Sequence, residues 1–319
     1  MPEVVLMGEP MAMFMADEYG PLENVSTFTR SLAGAEVNVG IGLTRLGHNC
    51  IYLTRLGDDP MGRYIANRLQ DEHFDPRCLI TDKRYPTAVQ FKGKVRAGDP
   101  DVVYYRRYSA ASHMTAEDVE RIDFNGVRHV HITGIPPALS QSCRKATYRL
   151  IECGRKHNAY ISFDPNLRVS LWESRETMVR VINDIASKCD MILPGAEEGK
   201  ILTGSGDPEK IADFYQALGV KSVIVKIGKN GAYVRGGAEG CYLKTFPVPR
   251  EKIVDTVGAG DGFAVGVISG RLEGLSLRDS VIRGNAIGSI QVENVSDNEG
   301  LPTLEELKHF YAKYEAFEP

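Results

Sequence analysis

The sequence predicts an α/β architecture, a mainly parallel sheet with a small separate β-layer, on three observations. From about residue 127 onward, apolar runs alternate with helical stretches across loops containing Gly, Pro or Asp. Segments 11–32 and 86–112 instead read as extended ribbon without intervening helices. Near the C-terminal end a short apolar run enters the turn Gly258-Ala259-Gly260-Asp261, from which an amphipathic helix starts. Alternating strands and helices require crossover connections, and these build a parallel sheet with helices on both faces.

The elements follow in order. Residues 4–15 are apolar but broken by Glu9 and lack a basic flank, so they are neither a signal peptide nor a bilayer span. Within the second ribbon, Gly98-Asp99-Pro100-Asp101 is a turn signal between two strand-like stretches. A layer projecting from the sheet edge could cover a site and exclude water, and could equally serve as a dimer interface. Core strands are predicted at 127–133, 159–163, 191–193 and 223–227, with helices at 142–156, 175–187 and 208–218. No low-complexity linker interrupts them, so residues 1–319 read as one domain carrying ribbon insertions at 11–32 and 86–112.

Composition narrows the function classes. Hydrophobic residues at 43% and charged residues at 25% describe an ordinary globular chain. A net charge of −4 with no basic stripe argues against nucleic-acid and membrane-surface partners. The six cysteines (50, 78, 143, 153, 189 and 241) form no C-x-x-C pair, the pattern of reduced thiols in a cytoplasmic protein. His129 and His131 alternate in a strand-like run and read as packing residues rather than metal ligands.

The glycine turn carries the chemistry. Successive backbone N–H groups and a helix N-terminus suit an anion, above all a phosphoryl group in transfer. Asp261 at the lip could accept a proton from an attacking hydroxyl, and it need not have a raised pKa, since the helix terminus should favour its charged form. A dinucleotide fingerprint is excluded because Phe263 stands where a third glycine belongs, and a Walker loop because Gly228-Lys229 runs into Asn230. The plainer alternative is a tight turn with Asp261 as an ordinary first-turn acid. Three further polar motifs end predicted strands: Asp164-Pro165-Asn166-Leu167-Arg168, Pro194-Gly195-Ala196-Glu197-Glu198 and Lys226-Ile227-Gly228-Lys229-Asn230-Gly231. Ligands of open parallel sheets bind at that edge.

At these residues the chain resembles the ribokinase-like (phosphofructokinase-B type) carbohydrate kinases. One matching stretch is Ala33-Gly34-Ala35-Glu36-Val37-Asn38-Val39-Gly40 with Leu53-Thr54-Arg55-Leu56-Gly57-Asp58-Asp59-Pro60-Met61-Gly62; the other runs from Asp255 to Asp261. The resemblance covers essentially the whole chain and implies a three-layer sandwich with a small projecting β-lid. It implies that Asp261 is the catalytic base and that the backbone of Gly258, Ala259, Gly260 and Asp261 is the anion hole. It implies that Gly34 and Asn38 contact the sugar. Lys226, Gly228, Gly231, Gly258 and Gly260 would line the nucleotide, with Asn285 and Ser289 near adenine. Asp255 would hold a potassium-type cation, Mg²⁺ would bridge the phosphates of ATP, and Glu198 would reach that Mg²⁺ through water. Gly195 stands where the family often has Asn, a departure that bears on the metal's water shell. A homodimer through the lid is also implied.

The sugar is read from Tyr104-Tyr105-Arg106-Arg107-Tyr108. Alternate strand residues share a face, so Tyr104 and Arg106 point together, an aromatic platform beside a guanidinium that suits a carboxylate-bearing sugar. Arg168 could add a second donor. Within the family this set is similar to the 2-keto-3-deoxygluconate kinases, with Asp297 where those hold a sugar hydroxyl and Phe91 stacking on the substrate. The reaction so implied passes the γ-phosphate of ATP to the C6 hydroxyl of 2-keto-3-deoxy-D-gluconate. A fructokinase or other neutral-sugar kinase is the alternative, since some share a stretch like 164–172; a nucleoside or vitamin kinase and a catalytically silent sugar-binding protein are more distant ones. On those readings Arg106 and Arg107 are solvated lid charges or dimer contacts, Arg168 pairs with a carboxylate, Tyr104 packs in the lid and Asp297 caps a turn.

Overall fold

The computed structural model describes residues 2–95 and 100–314; Gly98 and Asp99 of the expected ribbon turn lie outside them. In chain order the first strands are β1 (Val4–Met7), β2 (Met11–Ala16), β3 (Phe28–Ala33), β4 (Cys50–Gly57), β5 (Leu79–Asp82), β6 (Val89–Lys92) and β7 (Val102–Tyr105). They are followed by β8 (His129–Thr133), β9 (Tyr160–Asp164), β10 (Met191–Ile192), β11 (Ser222–Lys226), β12 (Ala232–Arg235) and β13 (Gly240–Leu243). Nine of them form the main sheet in the order β13-β12-β11-β10-β9-β8-β1-β4-β5. All neighbours from β11 to β5 pair in parallel, and β12 and β13 add an antiparallel edge.

Each predicted crossover helix begins at a side-chain cap. Ser140 accepts from Cys143 N ahead of Gln141–Lys156, Ser174 from Thr177 N ahead of Arg175–Ala186, and Asp207 from Glu209 N ahead of Pro208–Ala217. Such caps satisfy N–H groups that a helix start leaves without partners.

Strand alternation generates three layers. Along β1, Val5 and Met7 join one buried cluster with Leu150, Ile182 and Ile211 from the helices just described. Val4 and Leu6 join the other, with Val37, Leu69, Val265 and Ile287 from the helices Ala35–Arg45, Pro60–Asp71, Ala259–Leu272 and Leu277–Gln291. A strand buried on both faces is apolar throughout, which is why these runs read as continuous. In β8, His129 and His131 sit at 2.7 and 2.8 Å from the Ser162 hydroxyl, and burial pushes both rings down to about 3, so they pack as neutral side chains.

The two ribbons meet in a second sheet, β3-β2-β6-β7. On β6, Gln90 and Lys92 are buried toward the main sheet, whereas Phe91 faces outward. There it stacks on Phe14 (5.3 Å between ring centres) and meets Phe28 and Tyr105 edge-on.

Candidate active site

The helix Ala259–Leu272 starts at Gly258, whose φ of 81° is left-handed. A Cβ there would collide with the Asp297 carbonyl, so only glycine lets the turn close onto that loop. Ala259 N points at Thr256 O (3.4 Å) and Gly262 N bonds Gly258 O (2.8 Å), but the N–H groups of Gly260 and Asp261 have no protein acceptor among the described residues. Two such donors on a helix N-terminus suit an anion. Gly258→Ala is expected to lower kcat/KM about 100-fold with little change in the far-UV spectrum, because a displacement near 1 Å costs roughly that much.

Asp261 Oδ2 accepts from Asn38 Nδ2 at 2.8 Å; Asn38 Oδ1 accepts in turn from Asn298 Nδ2 at 2.9 Å, which also donates to Leu32 O at 2.7 Å. This chain fixes the amide of Asn38 and aims its donor at the carboxylate. Burial pushes the Asp261 carboxyl up to about 7, with Asp164 and Asp297 adding repulsion that the Asn38 bond and Lys226 only partly offset. The expectation of an unraised pKa is thereby corrected: a helix terminus contributes a fraction of a charge, less than removal of a carboxylate from water.

Lys226, at the end of β11, places Nζ 2.5 Å from Asp164 Oδ2 and 3.7 Å from where a Cβ on Gly260 would stand. Burial works against its charge, but Asp164 and Glu198 outweigh it and hold its pKa above the ordinary lysine value. Glu198 accepts from Leu167 N and Gly195 N, each at 2.7 Å, so the backbone at Gly195 orients it. Burial, with Asp164 nearby, raises its pKa.

A cavity of about 310 Å³ opens between the main sheet and the lid, lined by Gly34, Asn38, Tyr104, Arg106, Arg168, Asp261 and Asp297. Phe91 is absent from its wall, and Gln90 and Lys92 are present. The stacking role expected for Phe91 is thus corrected by strand parity: a position one residue away lies on the opposite face.

The two arginines differ. Arg106 is buried against Glu9, Nη2 at 2.5 Å and Nε at 2.7 Å from Oε2, while Ser109 bonds the other oxygen. Arg168 Nη1 donates to Asn166 Oδ1 at 2.6 Å, and no carboxylate among the described residues lies within ion-pair distance of it. Arg107 lies over the exposed Tyr108 ring, away from the cavity. Glu9, Gln90, Lys92 and Asn298 are site residues that no motif announced. Only Glu9 left a trace, as a charge interrupting an apolar run.

A second cavity, about 720 Å³ and more apolar, adjoins the first through Lys226 and Gly260. Gly228, Gly231, Phe246, Asn285 and Ser289 line it. Gly231 (φ 94°) passes so close to Leu243 O that a Cβ has no room. Asn285 Nδ2 donates to Lys244 O at 3.0 Å and Ser289 Oγ to Phe246 O at 3.1 Å, so both hold the segment facing that cavity. Asp255 sits beneath the anion turn, Oδ1 accepting from Val257 N at 2.9 Å and Oδ2 2.5 Å from Lys92 Nζ.

A polar pocket lined by the Asp261 carboxylate, an adjoining apolar pocket, and a lysine and a glycine turn where they meet suit a phosphotransferase for a small polar acceptor. The chain belongs to the pfkB family of carbohydrate kinases, whose model matches residues 1–304. It is 48% identical over 309 residues to a 2-dehydro-3-deoxygluconokinase of Bacillus subtilis, covering 97% of this chain and 95% of the relative. A pfkB protein of Polaromonas sp. JS666 superposes with a TM-score of 0.87 at 44% identity, over 97% of this chain and 99% of that one. An E. coli ribokinase II candidate, solved in complex with ATP and Mg²⁺, gives 0.88 at 25% identity, over 98% and 100%. Among the described residues no helix is long and apolar enough to cross a membrane.

Proposed function

We propose that this kinase transfers the γ-phosphate of ATP to the primary hydroxyl of 2-keto-3-deoxy-D-gluconate, the compound also called 2-dehydro-3-deoxygluconate, giving its 6-phosphate. The observation that carries the sugar-acid reading is Arg168, a guanidinium at the cavity wall with no carboxylate partner among the described residues. A substrate carboxylate would meet it, with Tyr104 alongside and Arg106 held in place by Glu9. The 48% identity to the Bacillus subtilis enzyme points the same way.

In this mechanism the sugar lies in the polar pocket with its hydroxyl beside Asp261. That carboxylate takes the proton as the oxygen forms its bond to the γ-phosphorus and the bond to the β-phosphate oxygen breaks, releasing ADP. The N–H groups of Gly260 and Asp261, with Lys226, hold the charge that develops. Glu198 and Asp164 line the same cavity and would reach, through water, a Mg²⁺ carried on the phosphates, and that ion would neutralise charge there. The potassium-type cation that the resemblance implies at Asp255 would meet a carboxylate that Lys92 already pairs.

The test is ADP release with 2-keto-3-deoxygluconate, fructose, ribose and adenosine in parallel. Preference for the keto-deoxy acid is expected, and Arg168→Ala should raise its KM about 10- to 100-fold, the worth of a charge-assisted hydrogen bond. Preference for fructose, unchanged in that variant, would overturn the sugar-acid reading.

A homodimer through the lid belongs to the same proposal. The outward aromatic cluster of Phe14, Phe28, Phe91 and Tyr105, with Tyr105 66% exposed, is the kind of apolar surface a partner covers. A cytoplasmic setting supplies ATP and keeps the six free cysteines reduced.

A further inference from the structure

The end of the lid strand β6 reaches under the anion turn. Lys92 Nζ lies 2.5 Å from Asp255 Oδ2, 2.8 Å from Asp297 Oδ1 and 3.5 Å from Val295 O. Its side chain is only 4% exposed. Burial alone would discharge a lysine, but the two carboxylates hold its pKa above the ordinary value.

Both carboxylates belong to segments that shape the turn. Asp255 accepts from Val257 N at 2.9 Å, and Gly258 packs against the Asp297 carbonyl. Two buried anions so close together need a cation between them, or one of them takes up a proton. A free monovalent ion at Asp255 would have to share its oxygens with an ammonium already in contact, and like charges at that range repel. Arg168 adds a further positive charge toward Asp297 from the β9 side.

We propose that the Lys92 ammonium is this kinase's own monovalent cation beneath the anion turn, so that turnover needs no added potassium. The inference rests on the phosphoryl-transfer reading of that turn. Lys92 acts as a positioning residue, and because it is carried by the lid it ties the lid's placement to the shape of the anion site. Asp255 is then one end of a lid-to-turn strap rather than a ligand for a mobile ion.

The experiment compares wild-type turnover of the preferred sugar in potassium, sodium and tetramethylammonium chloride at equal ionic strength. Rates within about twofold of one another are expected, and a potassium-specific rise of about tenfold or more would overturn the proposal. Melting curves in the same salts give a readout independent of catalysis: a specific ion binding the native state raises Tm. No potassium-specific rise is expected for the wild type. Lys92→Ala should lose rate and recover part of it in potassium, ammonium or methylammonium, with a matching rise in Tm. A folded Lys92→Ala indifferent to all three cations would overturn the proposal. If that variant does not fold, the wild-type salt series and melting curves decide alone. Silence on every sugar would sink the phosphoryl-transfer reading instead, and the melting curves would still report on the cation.

Discussion

Asp261→Asn is expected to lower kcat by roughly 10²–10⁴-fold, the usual worth of a positioned general base, while leaving sugar affinity near wild type. The asparagine keeps size and shape, and its oxygen can still accept from Asn38, but it cannot take the hydroxyl proton. Stopped assays and calorimetric titration with the sugar separate the two quantities; a variant turning over like wild type removes Asp261 from the mechanism. The wild-type pH profile follows from the carboxyl being pushed up to about 7. Protonated Asp261 is no base, so kcat/KM of the wild type should rise with pH and level off above about 7. Stability has the opposite sign. The folded protein holds this proton to higher pH than the unfolded chain does, so the contribution is present at low pH and lost as pH rises toward 7. Asp261→Asn lacks that loss, and its Tm relative to wild type should be higher at pH 8 than at pH 5.

Lys226→Met is the second large effect. The ammonium bridges Asp164 and faces Gly260, so its removal takes a cation from the point where the two pockets meet. A loss of about 10²–10³ in kcat is expected, the scale seen for a single donor that stabilises transition-state charge. Stability should fall by about 3 kcal/mol, because breaking a buried pair strands its partner carboxylate. Urea unfolding and single-turnover rates read the two losses separately. Adding Asp164→Asn should restore much of the stability by removing the stranded charge, without restoring the rate. Recovery of both would mean that Lys226 is structural only.

Local patterns carried much of this architecture. The strands β8, β9, β10 and β11 fall within two residues of their apolar runs, and their helices start at Ser140, Ser174 and Asp207, cap residues visible in the chain. Burial on both faces and capping are short-range demands, so they leave short-range marks. The turn at 258–261 is legible for the same reason: its glycines and following helix are contiguous.

Phe91 shows where such reading stops. Segment 86–112 reads as ribbon, but which face of β6 turns inward depends on its pairing with β2 and β7, and a shift of one residue exchanges Phe91 for Gln90 and Lys92. The partners of charged groups are equally remote: Glu9 and Arg106 are 97 residues apart, and Lys92 and Asp297 are 205 apart. The motifs of this chain therefore point to its family and to Asp261 as the candidate base. The folded arrangement alone decides that the Asp261 carboxyl is pushed up to about 7, that Arg106 is paired with Glu9 while Arg168 has no carboxylate partner among the described residues, and that a lid lysine stands beside Asp255. The division is physical: backbone geometry is set by neighbours in the chain, whereas the charge state of a side chain is set by whatever distant groups the fold brings against it.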